Sequence, residues 1–342
     1  MSIDAKTVLN RLLDNQDLTE HEAGDLMRLL ADEALPPATS AALLIALRVK
    51  GETADEVRGF AKAMRELART TELPEGLRAV DVVGTGGDGS GSVNISTGTA
   101  LLAAACGVPV IKHGNRSVSS KSGSADVLKS LGIAHPEGPD EALRCLAATG
   151  FSFLFAPFFH PAMKAIAPVR GALGVRTVFN ILGPLTNPAK PPLHLIGAFD
   201  LPTARLMADA LAGMTIERAF VVHGEPGWDE ATPCGEFTLF DVRPGQVREE
   251  RRDPANFGLP RCAPEDLAGG DAEFNAKALE AVLSGSEKGA HRDALTLGVG
   301  LVLELAGETD DPAVGIERAN AAIDSGAAAN VLNDLRGFSS SA

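Results

Sequence analysis

The sequence predicts an α/β protein with a small all-helical N-terminal unit over residues 1–72 and a larger domain over 73–342 built on a mainly parallel sheet. Three observations predict it. Residues 3–70 carry helical signals only. From residue 78, short apolar runs followed by glycine alternate with helical periodicity, the texture of parallel strands joined by helical crossovers. The tail then returns to helical periodicity alone.

Thr19 and Glu22 form a capping box ahead of an apolar-periodic run that ends near Pro36. A second helix, ATSAALLIALRVK, stops at Gly51, and Thr53 with Glu56 caps a third through Leu67. Candidate strands follow at AVDVV (79–83), VPVI (108–111), FSFLF (151–155), LHLIGAF (193–199) and AFVVHG (219–224). Helices are expected at TGTALLAAAC, 124–131, 138–148 and 202–212. The stretch 171–192 interrupts the alternation, and its glycines and prolines suggest a hinge. Part of 165–192 is expected to cross back to the helical unit. The tail helices are 272–284, 290–306 and 313–325.

With 342 residues, 45% of them apolar, the chain can bury a large core. Its net charge of −14 repels nucleic acid and anionic membranes. Tyrosine is absent and aromatics are 4%, which argues against base-stacking platforms. Cys106, Cys145, Cys234 and Cys262 form no Cys-x-x-Cys pair, so a reducing compartment and no zinc site are expected. MSIDAKTVLNRLL lacks the apolar core of a signal peptide, and no stretch reaches membrane-span length. A cytoplasmic protein is expected.

Two loops carry the chemical signal. GTGGDGSG (84–91) follows the first strand and leads toward a helix, where glycines let backbone N–H groups approach an anion. It is neither a P-loop nor a dinucleotide fingerprint, because no GK[ST] follows and Asp88 intrudes. A tight turn is the plain alternative. The second loop, KHGNRSVSSKSGS (112–124), sets Lys112, Arg116 and Lys121 among Ser117, Ser119, Ser120, Ser122 and Ser124. No acid stands between Asp88 and Asp126. Serines beside Lys and Arg suit a phosphate; a solvated basic turn is the bland reading. Two such loops suggest a ligand with phosphate at both ends.

His113 and His160 are each either structural or pocket-lining, and neither has partners at zinc-ligand spacing. Arg170, amid small and apolar residues, needs an anion, from a ligand carboxylate or a protein acid. Asp229 and Glu230 in GEPGWDEATP are surface acids or, beside a diphosphate, magnesium ligands.

Together GTGGDGSGSVNIST, KHGNRSVSSKSGSADVLKSLG, FAPFFHPAMK, VRGALGVRTVFNILGPLTNP and GEPGWDE resemble the anthranilate phosphoribosyltransferase family over essentially the whole chain. GTGGD alone would also admit pyrimidine nucleoside phosphorylases. The resemblance implies a nucleoside phosphorylase/phosphoribosyltransferase-type fold. It also implies transfer of the 5-phosphoribosyl group from 5-phosphoribosyl 1-diphosphate to anthranilate, in tryptophan biosynthesis. It implies Mg2+, two ions per subunit, a homodimer, and a possible association with anthranilate synthase. Gly84, Gly87, Asp88, Ser92, Asn94, Ile95, Ser96 and Thr97 match positions that contact phosphoribosyl diphosphate. So do Lys112, His113, Gly114, Asn115, Arg116, Ser117, Val118, Ser119, Ser120 and Ser124. Ser96, Asp229 and Glu230 match the metal positions. Gly84, Asn115 and Arg170 match the anthranilate positions, with His113 and His160 lining that pocket. Trp228 departs from the pattern, standing where a smaller apolar residue is common.

Two rivals stand beside this reading. One is a nucleoside phosphorylase, but Arg170 suits a carboxylate better than a nucleobase. The other is a nucleic-acid-binding protein of the same fold, but that would need a basic surface and would not need Asp229 and Glu230.

Overall fold

Capping boxes form at both expected places in the computed structural model, which describes residues 4–116 and 121–341. The four N-terminal helices are α1 (Ala5–Leu13), α2 (Glu20–Leu30), α3 (Pro37–Lys50) and α4 (Ala54–Glu66). Thr19 and Thr53 each exchange bonds with the glutamate three residues on, at 2.8–3.3 Å. Glu56 is also a buried tie, accepting from Leu18 N at 2.9 Å and from Lys50 Nζ at 3.0 Å. α2 and α4 pack closely because Gly59 has no side chain: a Cβ there would lie 2.2 Å from the Glu20 carbonyl oxygen.

The larger domain continues with β1 (Val80–Gly84), α5 (Ile95–Ala105), β2 (Val110–Gly114), α6 (Ser124–Ser130), α7 (Pro139–Thr149) and β3 (Phe151–Phe155). Then come α8 (Ala156–Phe159), α9 (Met163–Leu173), α10 (Phe179–Leu182), β4 (Leu193–Gly197), α11 (Leu201–Ala212) and β5 (Arg218–Gly224). β6 (Phe237–Arg243), β7 (Gln246–Arg252), α12 (Ala272–Leu283), α13 (Ala290–Leu305), α14 (Pro312–Asp324) and α15 (Ala327–Ser341) complete the chain. All five expected strands form, each within three residues of the reading at either end. β2 starts at Val110 because Pro109 has no N–H to give a ladder.

The sheet order is β3-β2-β1-β4-β5-β6-β7. The first five strands are parallel, and β6 and β7 add an antiparallel hairpin. The order reverses between β1 and β4, which opens a crevice at the carboxyl ends of the strands, the place where open α/β sheets bind ligands. One face of the sheet packs on α5, α6 and α12–α15. The other face packs on α11, and the same apolar cluster holds the helical unit: Leu26, Phe60, Ile166, Phe179, Leu182, Ile196 and Val221 all belong to it. The 171–192 stretch therefore folds under the helical unit, with α9 beginning earlier than the hinge reading placed any helix.

Candidate active site

β1, β2, β4 and β5 all end in glycine, and the acidic loop after β5 lies across three of these ends, those of β1, β4 and β5. A Cβ at Gly84 would fall 2.3 Å from Asp229 Oδ2, one at Gly197 1.5 Å from the Asp229 carbonyl oxygen, and one at Gly224 2.1 Å from the Glu230 carbonyl oxygen. Gly84 and Gly197 are register partners in β1 and β4. The loop thus settles on bare backbone that no other residue type would leave.

The glycine loop meets this acidic loop from above. Gly86, Gly87, Gly89 and Gly91 all have positive φ, so the backbone there turns where side chains are disfavoured. Gly86 N donates to Asp229 Oδ2 at 2.6 Å, and Asp229 N donates to Asp88 Oδ2 at 3.3 Å. Asp88 Oδ1 accepts from Ser90 N and Oγ at 3.1 and 3.0 Å. Ser96 N, at the start of α5, donates to Glu230 Oε1 at 3.0 Å. A helix N-terminus that would take an anion here takes a carboxylate.

Asp88, Asp229 and Glu230 are therefore gathered at one point. Burial, and next to it the charge of Asp88, pushes the Asp229 carboxyl well above its usual range; burial and then Asp229 do the same to Glu230. Among the described residues, the cation facing them is Lys112. Its side chain is 1% exposed, and its Nζ donates to the Val82 carbonyl and reaches Ser96 Oγ at 3.4 Å. Burial lowers the Lys112 pKa, while Asp81, Glu230 and Asp229 act to raise it. Clustered carboxylates with too little countercharge are a hard-cation donor set. Among the described residues no three His, Cys, Asp or Glu side chains are placed to hold a metal ion by themselves. The fit is to a cation that draws its remaining ligands from a bound substrate.

The second loop is described only in part. Ser117, Val118, Ser119 and Ser120 lie outside the described residues. Asn115 and Arg116 are exposed, with Asn115 Oδ1 accepting from Arg116 N at 2.7 Å. Gly114 has Phe153 where a Cβ would go, 2.8 Å away. Ser124 opens α6. Asn94 ties the two loops, its Nδ2 donating to Ser122 O and its Oδ1 accepting from Ser122 Oγ, both at 3.3 Å. Ser92 is half-buried beside Ser90, with their hydroxyls 3.2 Å apart. Ile95 and Thr97 are buried in α5, so only their backbone can face the crevice.

The two histidines meet at the floor. Their ring centroids are 5.0 Å apart, edge to face, and His113 Nδ1 lies 3.0 Å from the Gly183 carbonyl, which fixes that nitrogen as the N–H donor. Burial takes His113 down to about 3 and His160 to about 4, so both rings are neutral at physiological pH. Arg170, in α9, is half-buried, with its guanidinium 5.3 Å from the centre of the Phe179 ring. No carboxylate among the described residues lies within ion-pair distance of it. Burial alone lowers its pKa.

Residues 6–68 match the glycosyl transferase family, helical bundle domain, and residues 76–329 match the glycosyl transferase family, a/b domain. The chain is 45% identical over 327 residues to the anthranilate phosphoribosyltransferase of Rubrobacter xylanophilus, covering 96% of this chain and 95% of that one. It is 46% identical over 334 residues to that of Desulforudis audaxviator, covering 97% and 96%. The chain belongs to the anthranilate phosphoribosyltransferase family. Among solved structures, anthranilate phosphoribosyltransferase from Thermus thermophilus superposes with a TM-score of 0.90 at 42% identity, covering 97% of this chain and 98% of that one. The Saccharomyces cerevisiae enzyme in complex with PRPP and Mg gives 0.89 at 27% identity, covering 99% and 98%.

Several residues of this anthranilate phosphoribosyltransferase fold bear on the site without a sequence signal that singles them out. Gly197 reads as an interior residue of the strand 193–199, and Gly224 as an ordinary strand end. Asn275 of α12, 2% exposed, donates to Asn94 Oδ1 at 2.8 Å and so steadies the glycine loop from behind. Asp81 is wholly buried in β1 and accepts from His113 N at 3.1 Å and Asn187 Nδ2 at 2.8 Å. Trp228, the departure from the family pattern, points into the core at 6% exposure, and its backbone pairs with Gly224 at 2.9 and 3.0 Å.

Arg176 is the most consequential of these. Its Nη2 donates to the Gly87 carbonyl, its guanidinium stacks 3.9 Å from the centre of the Phe199 ring, and its own carbonyl accepts from Arg48 of α3. One residue thus joins three parts, its side chain reaching the glycine loop and Phe199 and its backbone carbonyl holding Arg48 of the helical unit. Arg176→Ala should raise the KM for phosphoribosyl diphosphate several-fold, since about 1–3 kcal/mol of charged hydrogen bonding is lost, with little change in melting temperature. Initial rates over a phosphoribosyl diphosphate series check this; an unchanged KM would contradict it.

Proposed function

We propose that the crevice at the ends of β1, β2 and β4 is where this chain performs the family reaction. The chain transfers the 5-phosphoribosyl group from 5-phospho-α-D-ribose 1-diphosphate to the amino group of anthranilate, giving N-(5-phosphoribosyl)anthranilate and diphosphate, in tryptophan biosynthesis. The observation that carries the site assignment is the cluster of half-buried Asp88 and Glu230 around buried Asp229 at the glycine loop, short of positive charge.

In this reading Gly84 to Thr97 hold the diphosphate end, and Lys112 to Ser120 with Ser124 hold the ribose and 5-phosphate. Asp229, Glu230 and Ser96 hold Mg2+, two ions per subunit, which supplies charge stabilisation to the diphosphate as it leaves. No protein nucleophile is required. The backbone N–H groups of the glycine loop face the departing charge, and the crevice holds the weak aromatic amine in line with ribose C1. Arg170 takes the anthranilate carboxylate. His113 and His160, both neutral, line the ring without adding a competing cation. Loss of anthranilate fluorescence on mixing with phosphoribosyl diphosphate and magnesium tests the assignment. Asp229→Asn/Glu230→Gln should abolish the magnesium dependence of that loss; an unchanged magnesium titration would overturn it.

The carboxyl groups also predict a pH dependence. Asp229 is pushed up to about 7 and Glu230 to about 8. Protons held there must leave before a cation binds, so magnesium affinity should rise as pH climbs through that interval. Calorimetry in buffers of different ionisation enthalpy should show proton release near neutrality that vanishes well above it. Proton-neutral binding at pH 7 would contradict the assignment.

The same reading takes residues 1–72 as the helical domain and 73–342 as the phosphoribosyl-diphosphate-binding domain, with part of 165–192 crossing back. The apolar cluster shared by α2, α4, α9 and α10 supports this. It also takes the chain as a cytoplasmic homodimer able to associate with anthranilate synthase. Leu13 and Val49, 67% and 80% exposed on the helical unit, supply apolar surface for a dimer. A net charge of −14 disfavours nucleic acid, and no helix among the described residues is long and apolar enough to cross a membrane.

A further inference from the structure

The cysteines that stand far apart in sequence do not all stand apart in space. Cys234 Sγ and Cys262 Sγ are 3.5 Å from each other. Cys262 N donates to the Pro233 carbonyl at 3.4 Å, so the two backbones also run side by side. Both side chains are half-buried. Cys262 lines an open cleft of about 510 Å³ beside Arg261, Lys288 and His291, so small solutes can reach its sulfur. Cys106 and Cys145 have no such neighbour, and burial pushes both up to about 11.

We propose that Cys234 and Cys262 are a modification site, a thiol pair that closes to an intramolecular disulfide by exchange with a low-molecular-weight disulfide, and that this bond restrains the acidic loop. The backbone proximity and sulfur separation leave only a small movement to reach disulfide geometry. The chemistry balances in two steps. The Cys262 thiolate, which the cleft exposes, attacks one sulfur of the small disulfide, forming a mixed disulfide and expelling one small thiol. The Cys234 sulfur then attacks the Cys262 sulfur, forms the new S–S bond, and expels the second thiol. The two protein thiols lose two electrons and two protons, and the small disulfide is reduced to two thiols. The 3.5 Å between the two sulfurs favours the second step.

The loop is coupled because Cys234 closes it. The chain from Gly224 to Cys234 carries Asp229 and Glu230, whose carboxylates bond Gly86 N and Ser96 N. Turning those carboxylates toward a cation requires the loop to shift, and a bond at Cys234 narrows that movement. This half rests on Asp229 and Glu230 holding magnesium; the bond itself does not.

The full chain is incubated with glutathione disulfide in mildly alkaline buffer, quenched with iodoacetamide and mapped by mass spectrometry. The expected result is a linked Cys234–Cys262 peptide lighter by two hydrogens, with Cys106 and Cys145 alkylated and the link lost in dithiothreitol. Cys234→Ser should give no linked peptide. Alkylation of both Cys234 and Cys262, or a link only between chains, would overturn the site. Calorimetric titration of magnesium in the presence of diphosphate tests the coupling. The oxidised chain should need more magnesium than the reduced chain, and a Cys234→Ser/Cys262→Ser variant should show no such shift. A formed disulfide with superimposable titrations would overturn the coupling. If instead the reduced Asp229→Asn/Glu230→Gln chain titrates like wild type, the fault lies with the metal assignment.

Discussion

Replacing Gly197 by alanine is expected to lower kcat/KM by about a hundredfold or more and to shift the magnesium requirement upward. A methyl group at the end of β4 would sit 1.5 Å from the carbonyl oxygen of Asp229. That atom belongs to the backbone of the loop and cannot rotate away as a side chain could. The loop must lift by an ångström or more, carrying both carboxylates with it, and displacement on that scale near reacting groups costs about 10²-fold. The backbone of Gly197 is not in the left-handed region, so the effect is steric crowding and not strain at the residue itself. Crowding of this kind also destabilises by about 1–3 kcal/mol, and a modest fall in melting temperature is expected. Gly138→Ala, where an added methyl meets nothing within 4 Å, serves as the comparison and should leave both rate and magnesium titration unchanged. A Gly197→Ala enzyme with wild-type magnesium dependence would show that the loop does not need its seat.

Replacing Arg170 by methionine is expected to raise the KM for anthranilate by about 30-fold or more. A charge-assisted contact to a carboxylate is worth about 2–5 kcal/mol, and each 1.4 kcal/mol is about tenfold. The KM for phosphoribosyl diphosphate should move little. Stability supplies the discriminating readout. Arg170 has no acidic partner among the described residues, and burial already weighs against its charge. Removing it relieves a desolvation cost, so the free enzyme should melt no earlier than wild type. A large drop in melting temperature with equal loss for both substrates would mean that Arg170 is a structural residue.

The parts of this fold that were legible in the sequence are those where local pattern and tertiary role agree. Thr19 with Glu22 and Thr53 with Glu56 are read correctly because a capping box is satisfied within one turn. The five parallel strands are largely buried and read as short apolar runs. β6 and β7 were not expected. QVREERR in β7 has almost no apolar residue, since this edge strand is held by its ladder to β6 and by ion pairs such as Arg252 with Glu304 and Arg251 with Glu225. The helix α15 is also absent from the sequence reading: AAANVLNDLRGFSSS has few large apolar residues, and its Leu332 and Leu335 are buried by neighbouring elements.

The candidate site divides in the same way. The glycine loop and the acidic pair carry their own composition, so Asp88, Asp229 and Glu230 stood out before their meeting was visible. Lys112 stood out as part of a basic loop, yet its side chain turns inward toward the acids. Arg176, Asn275 and the Cys234–Cys262 approach depend on contacts between distant segments, and no spacing announces them.

The antiparallel turn-back after β5 gives the acidic loop a separate evolutionary life. A crossover to a parallel strand would drag a helix along with every change in length. Here residues 225–236 leave and re-enter the sheet at adjacent positions, because Gly224 pairs with Phe237. Insertions, deletions and substitutions between those two anchors can remodel the rim of the crevice while the sheet, its helices and the glycine loop keep their places. Laboratory recombination of the segment between Gly224 and Phe237 is the natural route to transplanting one rim onto another scaffold of the same architecture.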